Sequence, residues 1–199
     1  MKKIALVIAT SLLLTACGGS VDKPEKREEV QIPVNLACDE GMSEYRVAGT
    51  PIQFCYDPAW GTVTTHENPG QAGQSIFVEF DGTGKSPSIH YQSLDYVAPE
   101  SATEQFCYEC LVINAPNDVL TGQVAGALGV GEDKVNVRKA DVGGKKAVRV
   151  HANYVHSMLG ATDTVTYYVP EPFDGYTMEV YGDNEIATEV DDFVYDIVL

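Results

Sequence analysis

Two closely spaced cysteines offer the most recognisable chemistry in this chain. Cys107 and Cys110 stand in "FCYEC", a C-x-x-C spacing that is typical of a redox dithiol, half of a zinc site, or a haem attachment when histidine follows. Leu111 follows, which excludes haem, and no second cysteine pair in the sequence completes a zinc site. A thioredoxin-type thiol needs a helix N-terminus to lower its pKa, but the residues before Cys107 are predicted to be helical already. The pair is therefore predicted to be structural rather than redox-active.

The other patterns that suggest a reaction are incomplete. "GTGKS" (82–86) resembles a phosphate-binding loop, but that loop requires glycine where the chain has Glu79, and a helix where it has Pro87. We predict a loop between two strands there. The histidines are scattered and are predicted to be solvent-facing strand residues; they are His66, His90, His151 and His156. The sequence thus predicts no catalytic, cofactor-binding or metal-binding residue, and no enzyme.

The first residues form a targeting segment. Lys2 and Lys3 precede thirteen uncharged apolar or small residues (4–16). A helix needs about 20 apolar residues to cross a bilayer, so this length indicates a signal peptide. The segment ends in "LTAC", which resembles the lipobox of bacterial lipoproteins. The resemblance implies cleavage before Cys17, thioether diacylation of Cys17, and acylation of the new amino terminus with a chain such as palmitate.

This resemblance implies that the protein is located in the bacterial cell envelope. Several acyl chains hold a protein durably, because each buried CH₂ contributes about 0.8 kcal/mol. Residues 17–35 are rich in Gly, Pro and charge and are predicted to be a flexible tether. Gly18 after Cys17 is similar to the pattern that enteric-type sorting directs to the outer membrane. The predicted organisation is a signal peptide (1–16), a lipid-anchored tether (17–35) and a single globular domain (36–199).

With Cys17 acylated, four cysteines remain. An even number outside the cytoplasm predicts structural disulfides. Three connectivities are possible, and we favour Cys38–Cys55 with Cys107–Cys110.

The negative net charge of the chain limits the kinds of molecule that it can bind. The chain has 13 basic and 29 acidic residues, a net charge of −16, which becomes −18 once Lys2 and Lys3 are removed with the signal peptide. Such a protein repels nucleic acids and anionic lipid headgroups. The expected partners are the membrane, through the N-terminal acyl chains alone, and an unknown envelope protein or small ligand.

Alternating apolar positions predict most of the domain to be strands. A period of two with one apolar face is typical of antiparallel strands in a sheet covered on one side. Turn residues separate the runs at 143–144, 159–162 and 171–175. Besides "KVNV" (134–137), the alternating residues are Ile52, Phe54 and Tyr56; Ile76, Val78 and Phe80; Ile89 and Tyr91; Val148, Val150, Ala152 and Tyr154; Val165, Tyr167 and Val169; and Tyr176, Met178 and Val180.

Two or three helices are predicted beside this sheet. "PNDVLTGQVAGALG" (116–129) begins with proline and ends at glycine. "NEIATEVDDFVYDIVL" (184–199) repeats apolar residues at helical spacing, and a shorter helix is predicted to begin at Ser101. The fold class is therefore α+β, with an antiparallel sheet of six or seven strands. The apolar stripe of the last helix (Ile186, Val190, Phe193 and Ile197) is expected to cover a sheet face that carries Val148, Val150, Val165 and Tyr167, while Asp191 and Asp192 are expected to be solvated.

The domain also resembles a known family. "VAGTPIQFCYDPAWG", and the later order of "ADVGGKKAVRV", "VTYYVP", "YTMEVYG" and a closing helix, are similar to PsbP-like domains over about residues 43–199. That resemblance implies a PsbP-like fold and a non-catalytic accessory or binding role. We therefore expect a membrane-tethered binding or accessory module; the alternative is an envelope thiol–disulfide oxidoreductase that uses Cys107 and Cys110.

Overall fold

The computed structural model describes residues 36–68, 70, 72–96, 113–156 and 160–199. They form an α+β fold with a seven-stranded antiparallel sheet, a three-stranded antiparallel sheet and two α-helices, which confirms the predicted class. The helices are α1 (Asn117–Leu128) and α2 (Ala187–Tyr195). The strands are β1 (Ser43–Arg46), β2 (Gln53–Tyr56), β3 (Val63–Glu67), β4 (Ser75–Phe80), β5 (Ser88–Ser93), β6 (Val135–Val142), β7 (Lys145–His156), β8 (Gly160–Val169), β9 (Tyr176–Asp183) and β10 (Ile197–Val198).

Two meanders build the large sheet, whose strand order is β3-β4-β5-β9-β8-β7-β6. The first is β3–β4–β5, and its β4–β5 connection contains the "GTGKS" segment, as predicted. The second is β6–β7–β8–β9, and the two meet where β5 pairs with β9. Gly143 and Gly144 form the β6–β7 turn with φ of 57° and 79°, values that suit a two-residue hairpin loop. The turn predicted at 159–162 differs, since β8 already begins at Gly160.

The first face of the large sheet, defined by Val78, Ile89, Val165, Met178 and Val180, carries the main core. Alternation sends these side chains to one side, where α2 and the small sheet (order β1-β2-β10) cover them. Phe193 of α2 is central, with its ring centroid 5.1 Å from that of Phe54 on β2. Burying these rings and branched side chains together supplies the main driving force for the fold.

The second face of the same sheet, defined by Val137, Val148, Val150 and Ala152, is also covered in part. There α1 buries Leu120, Val124 and Ala125 against β6 and β7. The sheet was predicted to be covered on one face only, and this prediction is wrong where α1 packs on β6 and β7.

The expectation that α2 packs on Val148 and Val150 is wrong as well. The pairing of β7 with β8 places Val148 opposite Tyr168. Tyr167 and Val165 consequently point to the other face. Val148 and Val150 pack under α1, whereas Val165 and Tyr167 pack in the core that contains α2.

The C-terminal helix is shorter than predicted. Asn184–Ile186 form a 3-10 turn, α2 ends at Tyr195, and the chain then becomes β10. Ile197 pairs with Phe54 of β2, so its backbone completes the small sheet instead of a helical turn. Its side chain remains buried in the core, as the apolar pattern requires.

The predicted cysteine sites fall partly within the described residues. Cys38 and Cys55 form a disulfide, which is the pairing predicted for them, with their Cα atoms 5.6 Å apart. Cys17, Cys107, Cys110 and the helix predicted from Ser101 lie outside the described residues. Within the described ranges, α1 and the other helices are too short or too polar to cross a bilayer.

Candidate binding surface

Part of the second face lies beyond the cover of α1 and is polar. Side chains from β3, β4, β5 and β9 stand there, and among the described residues none of them belongs to either hydrophobic cluster. We call this surface the polar patch. It consists of His66, Ser75, Phe77, Glu79, His90, Glu179 and Tyr181.

Three rings form a stacked row across the patch. His66, Phe77 and His90 occupy opposed positions on β3, β4 and β5. The ring centroid of Phe77 is 5.5 Å from that of His66 and 4.3 Å from that of His90, with interplanar angles of 16° and 8°. Side chains at directly opposed positions stand about one strand spacing apart, so the planar rings stack. His66 is exposed, as predicted, but His90 is only 7% exposed, so the prediction of a solvent-facing residue is wrong for it.

A serine, a histidine and a carboxylate meet at the buried side of this row. The Oγ of Ser75 lies 2.9 Å from Nε2 of His90, and Nδ1 of His90 lies 3.9 Å from Oε2 of Glu179. These residue types catalyse acyl transfer when the hydroxyl can reach a substrate and amide donors face the developing oxyanion. Ser75 is 1% exposed and belongs to the regular strand β4. Its backbone carbonyl accepts a hydrogen bond from the Asn68 amide. Its hydroxyl is thus out of reach of a substrate, and the bond to His90 instead holds the row of rings in place.

The patch is acidic. Burial raises the pKa of Tyr181 to about 12, and the charges of Glu79 and Glu179 add to that shift. A phenol of ordinary pKa is already protonated at neutral pH, and this shift keeps Tyr181 neutral at higher pH as well. Oε2 of Glu79 also lies 3.5 Å from Nε2 of His66. Two carboxylates, two imidazoles and a neutral phenol suit a polar ligand that is neutral or positively charged.

A second polar cluster, which sequence reasoning missed, attaches α2 to the sheet. Asp191 accepts hydrogen bonds from Nε and Nη2 of Arg149 at 2.7 and 3.1 Å and from the Tyr167 hydroxyl at 2.8 Å. Arg138 lies at 3.5 Å from the same carboxylate. Burial alone would raise the pKa of Asp191, but these hydrogen bonds and positive charges outweigh it and lower the pKa below its usual value.

The prediction that both aspartates are merely solvated is therefore wrong for Asp191, although Asp192 is exposed. Alternation in the sequence did not reveal this contact, because it sets Arg149 on the face opposite to Val148 and Val150, which were predicted to face the core. The sheet is covered on both faces at this point, so Arg149 also lies in a partly buried environment, where a charged side chain requires a partner.

The remaining histidines do not form a metal site in the described part of the chain. Nε2 of His151 lies 2.8 Å from Oδ1 of Asp163, and nothing is described for the side chain of His156. No group of three or more His, Cys, Asp or Glu residues within the described ranges is placed to hold a metal ion. Comparison of the chain with protein-family models, curated proteins and solved structures found no match.

Proposed function

We propose that the chain is a lipid-anchored protein of the bacterial cell envelope, with the outer membrane as its site, and that its α+β domain is a non-catalytic binding or accessory module. The signal peptide pattern and "LTAC" support the anchor at Cys17. The Cys38–Cys55 disulfide suits an oxidising compartment. The order of strands β6 to β9 followed by α2 supports a PsbP-like domain.

The polar patch is the observation that carries the binding role. Its rings and carboxylates are aligned by strand pairing and by the bond between Ser75 and His90. A surface preorganised in this way binds with little loss of side-chain freedom. The buried Ser75 hydroxyl favours binding over serine-dependent acyl transfer, because the hydroxyl that would attack the substrate is inaccessible.

Site-specific photocrosslinking in living cells tests this role. A photoreactive phenylalanine analogue is placed at position 77 of the full chain or, as a matched aromatic control, at position 195. Tyr195 is 81% exposed on α2, which packs on the opposite face of the sheet. We expect an adduct from position 77 that is reduced by Glu79→Gln or Glu179→Gln, and none from position 195. Equal labelling from both positions, or none from position 77, would contradict the proposal.

The alternative function, a thiol–disulfide oxidoreductase, depends on the spacing of Cys107 and Cys110 alone. Reduction of insulin by the purified chain separates the two functions. A binding module leaves insulin intact.

A further inference from the structure

The positive charges of the domain are concentrated in one hairpin. Of the 13 Lys and Arg residues, five precede residue 36, which leaves eight in the domain. Six of these eight lie within residues 134–149, on β6, β7 and the turn before β6; we call this segment the basic hairpin. The six are Lys134, Arg138, Lys139, Lys145, Lys146 and Arg149. The acidic residues are spread along the whole domain, so the concentration is specific to the cations.

The lysines near the turn of this hairpin differ from its arginines, because the arginines are paired with a carboxylate. Arg149 and Arg138 face Asp191. By contrast, Nζ of Lys139 and Nζ of Lys146 donate to the two oxygens of Asn114, at 3.3 and 2.9 Å. Lys145 is exposed next to the Gly143–Gly144 turn. Among the described residues no carboxylate forms an ion pair with these three lysines. Asp141 lies opposite Lys146 in the strand pairing, and its Oδ1 accepts a hydrogen bond from the Gly144 amide at the turn. In the hairpin, three lysines and one carboxylate therefore surround the turn, which leaves a net positive charge.

The start of the domain lies close to this turn. Cys38 is bonded to Cys55, and the neighbouring Phe54 pairs with Ile197 of β10. A Cβ placed on Gly143 would lie 3.2 Å from the Ile197 carbonyl oxygen. These steps, with ordinary residue and strand spacings, place Cys38 within roughly 20 Å of the turn. The first described residues of the domain therefore lie on the same side as these lysines.

We propose that Lys139, Lys145 and Lys146 rest on anionic phospholipid headgroups of the membrane that holds the lipid anchor. The proposal rests on the proposed function, since the anchor brings the membrane within reach. The tether predicted for residues 17–35 has nineteen residues, and a flexible chain of that length has an end-to-end distance of about 25 Å. At physiological ionic strength the screening length is about 8 Å, so once the hairpin touches the surface the three lysines, which outnumber the neighbouring Asp141, act more strongly on the headgroups than the distant negative charges of the domain.

This contact would orient the domain. β6 and β3 are the two edges of the large sheet, and seven strands span about 30 Å. Contact through the β6–β7 turn places the lipid on the β6 side of the sheet, whereas the polar patch lies toward the opposite edge, near β3. The patch would then be presented to ligands or proteins beyond the headgroups.

Lysine footprinting of the full lipidated chain tests this contact. The chain is reconstituted in vesicles of phosphatidylcholine alone or of phosphatidylcholine mixed with phosphatidylglycerol, and the labelling rate of each lysine with an amine-reactive reagent is measured by mass spectrometry. We expect Lys139, Lys145 and Lys146 to be labelled several-fold more slowly on the anionic vesicles, and high salt to remove the difference. Lys85 serves as the control, because it lies outside the basic hairpin and forms ion pairs with Asp183 and Glu185, and its rate should not depend on the lipid.

The possible outcomes distinguish failure of the hairpin proposal from failure of the proposed anchor. If the chain floats with both kinds of vesicle but the three lysines react equally fast on each, the hairpin proposal is wrong and the anchor stands. If the chain floats with neither, the anchor is wrong and the hairpin proposal falls with it. If only an acidic envelope protein in native membranes protects these lysines, the partner is that protein and the lipid contact is overturned.

Discussion

Replacing Asp191 by alanine is expected to destabilise the domain, whereas the same replacement at the neighbouring Asp192 is not. Asp191→Ala leaves the guanidinium of Arg149, whose side chain is 11% exposed, without its carboxylate. Breaking a fully buried ion pair costs about 3–5 kcal/mol. The Asp191 side chain is 28% exposed, so we discount for solvent and expect about 2 kcal/mol, a decrease in Tm of roughly 4–8 °C for a domain of this size. Asp192→Ala, which removes only an exposed carboxylate, should change stability by less than about 0.5 kcal/mol.

The pH dependence of the stability difference between wild type and Asp191→Ala tests whether that difference is electrostatic. Because the pKa of Asp191 is lowered in the folded state, its carboxylate contributes stability above the unfolded pKa of about 4, and that contribution is lost as the pH falls through the folded pKa. Circular dichroism melts of wild type, Asp191→Ala, Asp191→Asn and Asp192→Ala at neutral and acid pH measure it. We expect a clear gap between wild type and Asp191→Ala at pH 7 that narrows in acid, with the asparagine variant in between. Equal Tm values at pH 7, or a gap that acid leaves unchanged, would refute the reasoning.

Three further predictions concern the core and the cysteines. Phe193→Ala should cost about 3–5 kcal/mol in urea unfolding, because the ring is 1% exposed and two aromatic rings pack at 5.1 and 5.6 Å; a value as small as that of Asp192→Ala would mean that α2 is not docked. Cys55→Ser should cost about 3 kcal/mol, since the disulfide closes a loop with a sequence separation of 17, and an unchanged urea midpoint would contradict this. The purified chain should leave insulin disulfides intact; rapid reduction that disappears in Cys107→Ser would favour the oxidoreductase.

Local patterns in the sequence predicted the elements well, because alternation and helical spacing are properties of neighbouring residues. Ile76, Val78 and Phe80 do lie on one face of β4, and α1 does end at a glycine in the left-handed conformation. Register could not be predicted in the same way. A shift of one residue between β7 and β8 moves Tyr167 to the other face, and that pairing depends on a turn whose conformation the pattern does not specify.

The polar patch, too, could be predicted from the sequence only in part. Alternation places Phe77 on the polar side of β4, which was an available sign of an unusual surface. Its neighbours come from β3, β5 and β9, and β9 is more than eighty residues away in the chain. Only the pairing of β5 with β9 brings Glu179 opposite His90, and composition and spacing contain no information about that contact.

The mass of the N-terminal peptide tests the central claim most directly, because the proposed location in the envelope and the proposed membrane contact both depend on the anchor. The full chain is expressed in a bacterium, purified from the membrane fraction and digested with a protease. We predict a first peptide that begins at Cys17 and carries a diacylglyceryl group on its sulfur together with an acyl chain on its amino group, and a Cys17→Ser chain that lacks both. A wild-type peptide that still contains residues before Cys17, or begins at an unmodified Cys17, would contradict the account.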